Sequence, residues 1–199
     1  SRSLTVNCTD PNDTVANGGA DPTSFTMNGS SVVPWRFITG TGSGWNLWAQ
    51  SSPALLVTTS PAINVSAVAT QLLVLLPGET AAPGTSTGKT GSPSAWTAGI
   101  ATTVVVNAVD NFWNADFLNA SQVSMTATDA YAQFLEPGTK VLESGTTTFS
   151  LILKARNDAS ARLTATRVGG TSLAGGSADS AFFTVQSSAV AKLQILAAG

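Results

Sequence analysis

GIATTVVVNAV, residues 99–109, decides the fold class. In an extended chain Thr102, Val104, Val106 and Ala108 share one face, and the residues between them share the other. Two further stretches repeat this period of two. Residues 145–154 place Thr147, Phe149, Leu151 and Leu153 together, with Ser150 and Lys154 opposite. Residues 160–168 place Ala161, Leu163 and Ala165 on one side and Arg162, Thr164 and Thr166 on the other. Alternation of this kind marks half-buried strands. It predicts that Val104, Val106, Phe149, Leu151 and Leu163 meet in one core.

Turn signals separate these strands: Pro77-Gly78, Pro83-Gly84, Asp110-Asn111, Pro137-Gly138, Asn157-Asp158 and Gly169-Gly170. Long amphipathic helix patterns are absent. About seven strands between 70 and 187 suit an immunoglobulin-like sandwich. The longest apolar run, Leu72-Leu73-Val74-Leu75-Leu76, is strand-sized and too short to span a membrane. Residues 1–68 read as a different unit, with strands at 2–7, 23–28, 32–39, 44–50, 53–59 and 62–66 and a loop at 8–22 too polar to pack. The expected fold is all-β: two immunoglobulin-like β-sandwich units in tandem, 1–68 and 69–188, plus an orphan strand at 189–199.

That last strand comes from an internal repeat. TQLLVLLPG at 70–78 returns as AKLQILAAG at 191–199. Before each copy, Ile63-Asn64-Val65 or Phe183-Thr184-Val185 leads into a short Ser/Ala/Val linker. Alone, the final segment would expose Leu193, Ile195 and Leu196 and an unpaired edge. These three residues are therefore the candidate assembly contacts, through a strand donated to the next copy or packed back on its own sandwich.

Composition narrows function. The 199 residues hold no histidine, and charged residues make up 10%, with nine Lys+Arg against eleven Asp+Glu. A net charge of −2 argues against nucleic-acid binding, which rests on clustered cations. Without histidine the commonest general base is missing. Hydroxyl nucleophiles have no adjacent base, no Ser–Lys pair is expected among the scattered cations, and Asp110 and Asp116 flank a turn without an evident cleft. The chain is expected to be non-enzymatic and to need no cofactor. The lone Cys8 is a free thiol or a bridge to another chain. No stretch has the form of a signal peptide, and a start at Ser1 fits a processed chain.

Other readings compete at single positions. Asp110, Asn111, Asn114 and Asp116, and more distantly Asp10, Asn12, Asp13 and Asp21, could offer oxygen ligands to calcium, although turn chemistry accounts for them equally. Five sequons mark Asn7, Asn12, Asn28, Asn64 and Asn119 as candidate glycan acceptors. Trp45, Trp48 and Trp113 could stack on a glycan. Trp45 and Trp48, three apart in one strand, would point to opposite faces.

The stretch 70–118, with its Leu/Val-rich start, Pro77-Gly78-Glu79 and the segment Val106-Asn107-Ala108-Val109-Asp110 followed by Asn111 to Asn114, resembles the tandem bacterial immunoglobulin-like repeats of surface and adhesin proteins. GTGSGWNLWAQ at 40–50 resembles the Gly-x-Gly-Trp-x-Leu segment of WxL-like bacterial cell-surface domains. The resemblance implies a secreted or cell-surface protein, non-enzymatic and often glycosylated. Its partners would be copies of itself in a homopolymer, or glycans, with no transmembrane segment. A structural subunit of a fibre, filament, sheath or surface layer is the expected function, and a glycan-binding adhesin module is the alternative.

Overall fold

The computed structural model describes residues 2–15, 23–27, 30, 32, 35–52, 57–190 and 192. Among these the chain is all-β. Among the described residues no helix is long and apolar enough to cross a membrane.

Residues 69–186 form a two-layer sandwich. One sheet has the order Gln133–Phe134, Thr146–Ile152, Ala101–Val109, Gln71–Leu75. The other has the order Thr139–Val141, Gln122–Ala127, Leu163–Gly169, Ser177–Asp179. Two facing antiparallel sheets of this kind make an immunoglobulin-like sandwich, although the edge strand Gln133–Phe134 precedes Thr139–Val141 in the chain. Trp96–Thr97 runs parallel to Phe183–Gln186 at the side. The five expected core residues lie in one cluster: Val104, Val106, Leu151 and Leu163 are 0% exposed and Phe149 is 1%. Val104 stands opposite Phe149 in the ladder, so the alternating patterns of the two strands are in phase.

The run Leu72–Leu76 does not alternate because both faces of its strand are covered. Leu72, Val74 and Leu76 enter the main core. Leu73 and Leu75 face outward into a second cluster with Val109, Val105 and Trp113. The expected turns at Pro77-Gly78 and Pro83-Gly84 form. Asn157-Asp158 does not end a strand. It opens the bulged Asn157–Ala161 strand, where Asn157 Oδ1 accepts the Ser160 N–H at 3.0 Å and Ala159 takes φ 61°.

The first unit has the sheet order Thr23–Met27, Arg2–Cys8, Leu47–Ser52, Val57–Thr59. Its pairings reproduce those of residues 122–186. Val6 pairs with Ala49 and Cys8 with Leu47, as Met125 pairs with Ala165 and Ala127 with Leu163. Thr41–Trp45 pairs with Ile63–Val65 across a register shift, as Asn157–Ala161 pairs with Phe183–Gln186. Thr14–Val15 with Trp35–Arg36 matches Gln133–Phe134 with Leu151 and Ile152.

Side-chain bonds coincide as well. The Leu47 N–H donates to Ser60 Oγ at 3.0 Å and the Leu163 N–H to Ser180 Oγ at 3.0 Å. The Asn46 N–H donates to Thr9 Oγ1 at 2.9 Å and the Arg162 N–H to Thr128 Oγ1 at 3.1 Å. The described residues of 2–65 thus repeat the pairings of the second half of 69–186 beneath different side chains.

Two smaller expectations also change. The 8–22 loop packs at its start, with Asp10 1% exposed, because the Asn12, Ile38 and Thr39 N–H groups satisfy its carboxylate. The expected strand 44–50 breaks at Asn46, so Trp45 and Trp48 belong to different strands. Among the described residues of the expected strand 32–39, a ladder forms at Trp35–Arg36. The terminal strand, with Leu193, Ile195 and Leu196, lies outside the described residues.

Candidate functional site

The turn after Ala101–Val109 folds around its own carboxylates. Asp110 Oδ1 accepts the Phe112 N–H at 2.8 Å and the Asn114 N–H at 2.9 Å, and its Oδ2 accepts Asn114 Nδ2 at 2.9 Å. Asp116 closes the other end, accepting the Ala69 and Leu118 N–H groups at 3.0 Å each. Asn111 Oδ1 accepts the Thr70 hydroxyl at 2.8 Å. Trp113 occupies the left-handed region at φ 68°, where side chains other than glycine are uncommon. Packing holds it there: its indole lies over Gly88, where a Cβ would overlap the ring, and it covers Leu73, Leu75 and Val109.

The geometry of this turn joins the two units. Asn114 is 3% exposed. Its Nδ2 donates to Ile38 O and its Oδ1 accepts the Gly40 N–H, both at 2.7 Å. The amide thus bonds the backbone of the first unit on both sides while Asp110 fixes its orientation. Asn12 Nδ2 reaches Thr39 Oγ1 at 3.0 Å and Pro83 O at 3.5 Å, and its side chain fills the space above Gly84. The Arg36 guanidinium stands 4.9 Å from the Phe112 ring centroid, a cation–π contact. Beside the joint is a cleft of about 260 Å³, lined by Val65, Ser66, Pro83, Asn114 and Phe117 among others.

The calcium candidates Asp110, Asn111, Asn114 and Asp116 are therefore brought together, but their oxygens already accept N–H and O–H donors. Among the described residues no group of three or more His, Cys, Asp or Glu side chains is arranged to hold a metal ion. Asp10 is engaged likewise, and Asp13 accepts the Trp35 indole N–H. Asp21 lies outside the described residues.

Of the glycan acceptors, Asn64 is exposed and Asn7 and Asn12 are half-buried. Asn119 is 3% exposed, with its oxygen bound to the Ser121 N–H, so a glycan there has no room. Asn28 lies outside the described residues. Trp45 is half-buried and donates its indole N–H to Thr39 O at 2.6 Å. Trp48 is half-buried too, across the ladder from Asn7 and Thr59. Neither tryptophan is a free-standing platform.

Cys8 is a free, buried thiol. Burial above all, and then the Asp13 and Asp10 carboxylates, push it above its ordinary pKa against the Asp10 N–H donated to its sulfur. One spacing was missed in the sequence: Ser86 stands three residues before Lys89, a Ser-x-x-Lys pattern. The ammonium of Lys89 is engaged elsewhere, 2.8 Å from Glu79 Oε1 in a pair whose acid is 3% exposed. Ser86 itself is exposed.

No family model matches the chain, and no curated protein matches it. Solved structures with a related chain path include a beta-glycosidase from Bacteroides vulgatus (TM-score 0.44) and the beta-glucuronidase of Parabacteroides merdae (TM-score 0.41). A glycosyl hydrolase family 2 member from Bacteroides cellulosilyticus has TM-score 0.39. Each is 9% identical, and the match covers 92% of this chain and 21% of the other. The chain thus spans about a fifth of the length of those proteins.

Proposed function

We propose that this chain is a non-catalytic structural module of a secreted or surface-exposed bacterial fibre, filament, sheath or surface layer, built from tandem β-sandwich repeats. One observation carries the reading: Asn114 is buried between the two units and hydrogen-bonded to both. Bending at the joint would break the two bonds that Asn114 makes to Ile38 and Gly40, each worth about 0.5–1.5 kcal/mol net. Such a joint transmits position from one unit to the next, as a mechanical element requires. A surface rich in Ser, Thr and Asn and poor in charge suits the same role. Assembly proceeds through strand pairing and packing between sandwiches.

Electron micrographs of the native material test this. Ordered polymers are expected. Discrete particles that bind a defined sugar on a glycan array would contradict it and favour an adhesin.

A further inference from the structure

The matched halves differ in how well their inner faces are covered. In 69–186 the inward residues of the paired strands 122–127 and 163–169 are sealed: Val123, Leu163 and Ala165 are 0% exposed and Met125 is 4%. The strands at 101–109 and 71–75 seal them, through Val104, Val106, Leu72 and Val74 of the same cluster. The matching residues of the first unit are Leu4, Val6, Leu47 and Ala49, and all four are half-buried. Ile63 and Val65 are also half-buried, where the matching Phe183 is 3% and Val185 1% exposed. Among the described residues Trp35–Arg36 pairs with Thr14–Val15 alone. Nothing there takes the place that Ala101–Val109 takes beside Thr146–Ile152.

We propose that this half-covered face is an interaction surface for a pair of antiparallel strands with the chemistry of 101–109 and 71–75. The inner strand would carry alternating aliphatic residues and the outer one a short run of Leu and Val. An apolar occupant fits, because Leu4, Val6, Leu47 and Ala49, among the described side chains of this face, are aliphatic. The source is fixed by register. Thr9 matches Thr128, so residues of the 69–119 kind would lead into Ser1 as residues 69–119 lead into Ala120. The strands belong ahead of Ser1 in the same polypeptide. A terminal segment such as 191–199, taken from a neighbour, does not suffice. It resembles only the outer strand, and in 69–186 that strand pairs with 101–109 and with no other member of its sheet. An inner strand must be seated first.

The test is a graft of a second copy of residues 69–119 onto Ser1 of the full chain, with a scrambled graft as control. The proposal expects hydrogen exchange at Leu4, Val6, Leu47 and Ala49 to slow by on the order of tenfold or more in the graft alone. It also expects an apolar dye to bind the parent and the scrambled graft but not the true graft. Unchanged exchange in a graft whose 69–186 core remains protected would overturn it. So would a parent that elutes as a dimer with these four amides already protected, since a second copy would then be the occupant. Either failure leaves the structural-module reading standing, because micrographs judge that separately.

Discussion

Asp10 and Asp129 make the same bonds in successive units. Each accepts the N–H two residues ahead with Oδ1, Asn12 at 3.0 Å and Tyr131 at 2.9 Å. Each accepts two consecutive N–H groups from the facing loop with Oδ2: Ile38 and Thr39 for Asp10, Lys154 and Ala155 for Asp129. A carboxylate in this place gives three backbone N–H groups an acceptor and ties its own turn to the facing loop.

At Asp129 burial pushes the carboxyl up, but the Ala155, Lys154 and Tyr131 N–H groups, helped by the Lys154 charge, outweigh it and hold the group below its ordinary value. A lowered folded pKa stabilises the protein above the ordinary carboxylate pKa, and that stability is lost as pH falls through the lowered value. Asp129→Ala should cost about 1.5–3 kcal/mol at neutral pH. Its difference from the parent should shrink in acid, as read by urea midpoints across pH.

Phe149 is 1% exposed at the centre of the core. Phe149→Ala should lose about 3–5 kcal/mol in a denaturant titration. A loss below about 1 kcal/mol would mean the ring does not face between the sheets.

Glu79 bonds the Leu76 N–H at 2.9 Å and pairs with Lys89, pinning the hairpin after the first strand of 69–186. Glu79→Ala removes one side of a mostly buried pair and should cost about 2–3 kcal/mol. Lys89→Met should cost at least as much as Glu79→Ala, because it leaves the Glu79 carboxylate, 3% exposed, without its counter-charge. Thermal unfolding of the two variants checks the order.

Asn114→Ala removes the bonds to Ile38 and Gly40 without touching the core cluster. Exchange at the Gly40 amide should accelerate while protection at Val104 and Leu151 stays as in the parent. Equal loss at all three sites would place Asn114 in the folding core instead.

Period-two patterns exposed the sandwich directly, since Phe149 lies between Thr148 and Ser150 and Leu163 between Arg162 and Thr164. Leu72–Leu76 showed a strand but not which face met which core, because a continuous run carries no phase. The kinship of the two units was hidden by side-chain identity: Trp45 stands where Ala161 does, and Trp35 where Leu151 does. Short signals did exist, in Thr9-Asp10 against Thr128-Asp129 and Ser60 against Ser180. Each is too brief to register without the backbone bonds that give it meaning. The role of Asn114 was illegible for a plainer reason: its partners lie more than seventy residues away, at Ile38 and Gly40.

Small-angle scattering from the intact chain tests the central claim, that a satisfied polar joint fixes one unit against the next. The account predicts a single profile matching one fixed arrangement of residues 2–65 and 69–186, with Asn114→Ala broadening the distance distribution. A parent profile that requires a broad range of arrangements, unchanged by Asn114→Ala, would contradict it.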